Sequence, residues 1–475
     1  MKKRIFCLTL CMLLLIGLFA GCGKKDDGGN KGNKTQTFEY LDKMPDKDLG
    51  GYEFVIAEAC YYGSDDRPNM EAGASDLSDA ILARNKAIEE KFNCKISYEY
   101  YDPTSFYDEI YPIIMSGEKV ADLMDVTLFS YGKLSVGEYL YDMSTLPNVD
   151  FSQKHWIDVY DSAAVMPSGA RYGASAAFAN PYTHGFGLYF NKRLIEEQGL
   201  EDPYKLLEEG KWNWETFGEM LSKGMKDVDG DAVFGSSDTY SATGGLDGGI
   251  TAYYLANGMN MFNIDAAGNV KYAMTDAGVI PTLTTLKSMF SAPGAYYYGG
   301  GDASLCTEMF IGGQVTFYMN LTTRGEALRD MNDDFGLVPI PMGPDADKYY
   351  SPIDHNTPIV CVPSSIDNPE ATGLILEALA ATSYGELETW QEETASLYYR
   401  DEESAKVLKE HLLPNLVFDP VFMYSRIAPE FETYTITAIF KPIARDPNAD
   451  AATIINSGKE VVETMLEDVI NSKRK

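Results

Sequence analysis

Two hydrophobic periodicities alternate along the chain. Residues 51–57 form a short, mostly apolar run and predict a first strand. Ser75 or Ser78 then caps a predicted helix that runs to about Phe92, with Ile81, Leu82, Ile88 and Phe92 on one face. Residues 94–101 alternate Ile96, Tyr98 and Tyr100 on one side and predict a second strand. A helix over 106–116 and a short strand over 121–126 follow. This β-α-β-α-β order opens an α/β sheet, whose ligands sit at the carboxyl ends of the strands. Those ends fall at residues 60–63 and 126–131.

A second unit of the same kind comes later. Strands are predicted at 186–190, within 308–320, at 334–340 and at 359–362. Helices are predicted at 214–226, 249–257, 275–289, 369–383, 403–412 and 451–473. No internal repeat or low-complexity break separates the two units, so the reading is two α/β lobes.

Composition changes this picture mainly through charge. The 475 residues hold 39 Lys plus Arg against 71 Asp plus Glu, a net −32. So acidic a surface repels phosphate backbones and argues against nucleic acid as a partner. The 32 Tyr point to surfaces able to stack on a flat ligand.

The N-terminus reads as an export signal. Lys2, Lys3 and Arg4 precede a largely apolar run of 16 residues from Ile5 to Ala20, too short for a membrane span of about 20 residues. Residues 18–22 (LFAGC) resemble the bacterial lipobox, which implies cleavage after residue 21 and diacylglycerol on Cys22. Residues 23–36 (GKKDDGGNKGNKTQ) carry no apolar side chain and read as a flexible tether with a mean reach of about 20 Å. The expected location is the extracellular face of the cell membrane, held by lipid. Cys60, Cys94, Cys306 and Cys361 are scattered without a CxxC and are expected to be reduced, buried, small hydrophobes.

Five segments in order resemble bacterial solute-binding proteins of family 1, which serve ABC importers and carry mostly sugars. They are residues 187–194 (GLYFNKRL), residues 199–203 (GLEDP) with 212–217 (WNWETF), residues 309–317 (MFIGGQVTF), residues 335–345 (FGLVPIPMGPD) and residues 401–404 (DEES). The resemblance implies a two-lobed, hinged, periplasmic-binding-protein-like α/β fold of type II. Residues 1–21 are then the leader and 22–49 the lipidated Cys and tether. Lobe 1 takes 50–182 and 341–395; lobe 2 takes 183–340 and 396–475. The partners implied are a small solute, a sugar and most simply an oligosaccharide, and the transmembrane subunits of the permease. The protein is expected to be a monomer. A polyamine, amino acid or peptide cargo, or a surface sensor or adhesin on the same fold, are the alternatives.

A sugar presents hydroxyls and an apolar C–H face, so carboxylates, amides and aromatic rings at strand ends and crossings are the candidates. In lobe 1 these are Tyr61, Tyr62, Thr127 and Tyr131, and His184 stands at the first crossing. In lobe 2 they are Asp247, within the Gly-rich stretch 244–249, and Asn320 and Arg324, with Tyr318 the one aromatic near the latter pair. Asp354, His355 and Asn356 form a polar cluster, from which Asp354 and Asn356 are taken as ligand-binding; an Asp354–Arg324 salt bridge is the plain alternative. Tyr424 is a further stacking candidate. Trp212 and Trp214 are read as core. Asp227, Asp229, Asp231 and Asp238 stand at positions one, three, five and twelve of a loop resembling an EF-hand, with Ala232 rather than Gly at position six. A structural calcium ion is the only cofactor this suggests. No catalytic motif stands out, and the chain is read as a binding protein rather than an enzyme.

Overall fold

The computed structural model describes residues 38–60, 71–244, 248–298, 303–427, 431, 434–446 and 448–474. Its first sheet holds β1 (Tyr52–Ala59), β2 (Cys94–Tyr100), β3 (Leu123–Thr127) and β14 (Pro358–Cys361), in the order β14-β3-β1-β2. β1 runs parallel to both β2 and β3, while β14 is antiparallel to β3. A short ribbon of β4 (Trp156–Ile157) and β5 (Ser175–Ala176) adjoins it. The second sheet holds β6 (Phe186–Asn191), β7 (Tyr240–Gly244), β10 (Tyr296–Tyr297), β11 (Val315–Leu321) and β12 (Phe335–Val338), in the order β10-β7-β11-β6-β12. A hairpin of β8 (Phe262–Ile264) and β9 (Val270–Tyr272) lies outside both sheets.

Each sheet is covered on both faces, as alternation along the strands requires. Phe54 and Ile56 of β1 face Ile88, Phe92, Leu374 and Ile375 of the helices Asp76–Phe92 and Pro369–Thr382. Ala57 and Ala59, on the opposite face, pack with Phe106 and Leu128 of the helices Phe106–Ser116 and Leu128–Val136. In the second sheet, Tyr189, Tyr318 and Phe335 face one layer, and Leu188, Phe190 and Phe317 face Trp212 and Phe217.

Local rules place the helix ends. Ser75 caps the helix Asp76–Phe92 by accepting from the Ser78 amide, and Asn93, at φ 48°, closes it. Asn213 and Thr216 form a reciprocal capping box at the helix Trp214–Gly224. Trp212, just before that cap, is fully buried, and its indole donates to the Pro339 carbonyl at 2.7 Å. Trp214 is also buried, so both tryptophans build the lobe. The strand expected over 334–340 stops at Val338, because Pro339 and Pro341 have no amide to donate. The helix expected from residue 275 starts at Val279, after Gly278 at φ 95°.

None of the four described cysteines forms a disulfide with another described residue. Cys60, Cys306 and Cys361 are buried, but Cys94 is only half-buried. Cys60 is more than a small hydrophobe, since its thiol donates to Asp125 at 3.3 Å.

The chain passes between the sheets several times. Gly185 pairs with Ile353, and β13 (Ser351–Pro352) runs parallel to β15 (Leu416–Val417). A Cβ at residue 185 would stand 2.8 Å from Leu416 and 2.9 Å from the Ser351 hydroxyl, so a larger residue at this crossing would have to displace both side chains. The turn Val421–Tyr424 then seats on the helix Leu128–Val136, where a Cβ at Gly132 would stand 1.9 Å from the Met423 carbonyl oxygen. The last segment therefore serves both lobes.

The helix Tyr384–Leu397 packs on the helix Asp76–Phe92 through a buried ion pair, Arg84 to Glu386 at 2.9 Å. Burial pushes the Glu386 carboxyl up to about 7, against the opposing pull of Arg84. A carboxyl raised on folding holds its proton more tightly in the folded chain. Its contribution is complete below its ordinary 4.5 and is lost as pH rises to about 7. Glu386→Gln is expected to flatten the fall in unfolding free energy between those limits by up to roughly 3 kcal/mol, measured by urea unfolding at a series of pH values. An unchanged slope would show that the group titrates normally.

Candidate functional site

The carboxyl ends of β1 and β3 meet the loop that enters β14. Because β14 is antiparallel to β3, residues 354–357 lie beside Thr127 and the start of the helix Leu128–Val136. Two of the helix's first amides are taken by this loop: Leu128 N–H donates to the Thr357 carbonyl at 3.0 Å and Phe129 N–H to the His355 carbonyl at 3.3 Å. The helix terminus is thus already satisfied and does not present an anion site.

Asp354 shapes the loop. Its carboxylate accepts from the Asn356 amide at 2.9 Å and the Asn356 side chain at 3.3 Å. His355 sets its ring against Phe129 at 5.8 Å, and Arg426 lies over the same Phe129 ring at 4.8 Å. Arg426 also reaches the His355 Nε2 at 3.0 Å. A guanidinium can only donate, so Nε2 accepts and the imidazole is neutral with its proton on Nδ1. The result is a buried Phe129 ring covered by Arg426, beside which the half-buried imidazole, carboxylate and amide of His355, Asp354 and Asn356 stand.

The second sheet supplies the ends of β7, β10 and β11. The Thr243 hydroxyl donates to the Tyr297 carbonyl at 2.7 Å. The Tyr253 and Tyr296 hydroxyls are buried here without partners. Asn320 is half-buried; its side chain donates to the Tyr318 hydroxyl and accepts from the Leu321 amide at 2.8 Å. Tyr318 itself is fully buried, stacked on Phe310 at 5.2 Å, so it does not supply a cleft ring. The turn Pro181–His184 lies against the turn Thr322–Glu326, joined by Thr323 donating to the Thr183 carbonyl at 3.3 Å.

The sequence-derived residues sort as follows. Thr127, Asp354 and Asn356 come together at the end of β3. His184 and Arg324 stand on the two abutting turns; His184 is half-buried with Nδ1 2.8 Å from the Thr183 hydroxyl, and Arg324 is exposed. No Asp354–Arg324 pair forms among the described residues. Tyr131 and Tyr424 lie in the packed core, fully buried, rather than on a wall, because the turn Val421–Tyr424 closes over the helix that carries Tyr131. The Tyr424 hydroxyl meets Arg474 at 3.2 Å. Tyr61, Tyr62, Asp247 and Cys22 lie outside the described residues. Phe129 and Arg426 escaped the sequence reading: Phe129 is one apolar residue in an apolar run, and Arg426 is close to it only through the last crossing.

The acidic loop stands apart from this site. Side-chain oxygens of Asp227, Asp229 and Asp231 all lie within 4.8 Å of one another. Asp238 turns inward instead, accepting from the Val228 amide at 2.8 Å and the Gly235 amide at 2.7 Å. Ala232 takes the left-handed conformation, φ 67°, that position six of such a loop requires of its usual Gly.

A groove of about 540 Å³ runs between Asp161, Ser162, Val165, Met166 and Pro167 on one side and the β8–β9 turn, residues 264–268, on the other. Arg474, buried at its edge, donates to the carbonyls of Ala163 and Gly268 at 2.5 and 2.8 Å and so joins the two sides.

Two α/β sheets joined by several crossings define a two-lobed α/β fold. The profile of the bacterial extracellular solute-binding protein family matches residues 74–385, about two thirds of the chain. The chain belongs to that family. Among solved structures, it is similar to UspC of Mycobacterium tuberculosis, at 12% identity over 87% of this chain and 99% of that one, with a TM-score of 0.60. It is similar to the ABC substrate-binding protein Lmo0181 of Listeria monocytogenes, solved with cycloalternan, at 13% identity over 87% and 99%, TM-score 0.57. It is also similar to MalX of Streptococcus pneumoniae, solved with maltopentaose, at 15% identity over 87% and 100%, TM-score 0.55. At these identities the likeness speaks for the fold. A search of curated proteins finds no match. No described helix is long and apolar enough to cross a membrane.

Thr127 acts as a helix cap, its hydroxyl accepting from the Ser130 amide at 3.4 Å. Thr127→Ala is expected to cost about 1 kcal/mol in urea unfolding. No loss of stability would mean that the wall of the site does not depend on this cap.

Proposed function

We propose that this protein is the membrane-anchored substrate-binding protein of an ABC importer, and that it captures a carbohydrate, most simply an oligosaccharide, between its lobes for delivery to the permease. The observation that carries the reading is the half-buried group of Arg426, His355, Asp354 and Asn356 at the end of β3. Mixed donors and acceptors meet sugar hydroxyls without demanding a charged ligand. The family supports the importer role, and relatives solved with cycloalternan and maltopentaose support the sugar class. The reading includes an export leader over 1–21, lipid on Cys22 and a lobe division at 182/183, 340/341 and 395/396.

Calorimetry against a panel of mono- and oligosaccharides tests it. One glycan class is expected to bind, and Arg426→Ala is expected to weaken that binding at least about tenfold while the fold persists. Binding only of polyamines, amino acids or peptides would keep the fold and discard the sugar. Full affinity in the Arg426 variant would move the ligand away from Phe129.

We also propose that the loop of Asp227, Asp229 and Asp231 takes a structural calcium ion, supported by the left-handed Ala232 and the three convergent carboxylates. Hard oxygen donors suit calcium. Calcium at about 100 times its Kd is expected to add about 2.7 kcal/mol of stability, seen as a raised Tm that Asp229→Asn abolishes. A Tm indifferent to calcium and to chelator would remove the ion from the account.

A further inference from the structure

We propose that Arg474 is a positioning residue for solute capture: it clasps the two lobes in the arrangement of this structure and so biases the equilibrium between that arrangement and others. The inference rests on the reading that a solute binds between lobes that move about their junction.

Arg474 is mounted on the second lobe. The turn Asn471–Lys473 just before it is fixed to the β8–β9 hairpin, where the Asn471 side chain accepts from the Val270 amide at 2.8 Å and donates to the Val270 carbonyl at 3.1 Å. The hairpin goes with the second sheet. The helix Ala451–Met465 packs on both β9 and the helix Val279–Phe290. The latter packs on the helix Trp214–Gly224, whose Phe217 meets Phe317 of β11.

The groups it grips are mounted on the first lobe. The short helix Asp161–Ala164 leads into a return of the chain in which Val165 pairs with Arg171, and Ala174 pairs with Val360 of β14. Arg171 holds Asp161 through two parallel contacts, both 2.7 Å. The carbonyls of Ser162, Ala163 and Val165 are thus held in place against the first sheet.

The guanidinium spans the two. Its Nε donates to the Gly268 carbonyl of the hairpin turn at 2.8 Å. Nη1 donates to the Ala163 carbonyl at 2.5 Å and the Tyr424 hydroxyl at 3.2 Å. Nη2 donates to the carbonyls of Ser162 at 3.2 Å and Val165 at 3.4 Å. A guanidinium has five N–H groups, and each has its own acceptor here. Pro167 sets the spacing: a Cβ at Gly268 would stand 2.4 Å from the Pro167 ring, so the hairpin turn rests directly on it.

Burial makes the clasp selective. Arg474 is 3% exposed, so a small shift of one lobe breaks its bonds before water can replace them. Hydrogen bonds from a cation are stronger than neutral ones, and three of these cross between the lobes. A contact made in one arrangement and lost in another moves a two-state equilibrium by its differential free energy. The neighbouring Lys473–Glu138 pair also joins the lobes at 3.3 Å, but its side chains are 42% and 75% exposed, and such a pair contributes little.

Pulsed electron paramagnetic resonance tests the clasp. Nitroxides are attached to a keto amino acid placed at Asp108 and Thr284, exposed positions on the helices Phe106–Ser116 and Val279–Phe290, a chemistry that leaves the cysteines alone. Distances are measured without added solute, so the result does not depend on which cargo calorimetry finds. A narrow distribution is expected with Arg474 in place. Arg474→Ala is expected to widen it at least about twofold or to shift its mean, as a freed hinge allows. Lys473→Ala is expected to leave it unchanged. Urea unfolding of the same variants separates the clasp from local packing, which would lower stability without moving the distance. Should Arg474→Ala fail to fold, Arg474→Gln, which keeps a polar stem and loses the fork, replaces it. A broad distribution with Arg474 in place, or an unchanged one in the Arg474 variant, would each overturn the clasp.

Discussion

Where the chain passes between its sheets, four separate stretches share hydrogen bonds to backbone carbonyls. Ile353 donates to the Val417 carbonyl at 3.1 Å, Thr322 donates to the Gly185 carbonyl at 2.9 Å, and the Ser351 hydroxyl donates to the Phe186 carbonyl at 2.9 Å. Everything at the site depends on this junction. It fixes how the ends of β3 and of β7, β10 and β11 are held by one chain, although these strands belong to different sheets. Turning through a few backbone dihedrals at such a junction is how two-lobed binders close on a ligand.

Buried charge around the junction is solvated by the protein itself. Among the described residues Arg474 has no carboxylate partner; carbonyls of Ser162, Ala163, Val165 and Gly268 and the Tyr424 hydroxyl surround its guanidinium. Asp419 is the mirror case, an acid held by the amides of Met261, Phe262 and Val421. Both lie in the C-terminal segment and tie it to distant parts of the chain. Such groups cost free energy if a partner is removed, so they specify one arrangement of the segment rather than add much stability.

Much of the fold was legible because periodicity reports burial. β1, β2 and the helix between them follow the apolar pattern to within two residues. β7 was not legible: Tyr-Ser-Ala-Thr-Gly has no apolar run, yet it is buried at every position. Its hydroxyls are satisfied by carbonyls, Ser241 by Leu221 and Thr243 by Tyr297, contacts between residues distant in sequence. The site was legible only in part for the same reason. Thr127, Asp354 and Asn356 follow from strand ends, whereas the inward turn of Tyr131 and Tyr424 depends on a crossing nearly 300 residues later in the chain.

Small-angle scattering of the chain with and without the glycan that binds it tests the central claim most directly. If the junction is a hinge and the cleft holds the ligand, the radius of gyration falls on binding and the distance distribution loses its longest vectors. An unchanged scattering curve at saturating ligand would contradict closure of the two lobes around a solute.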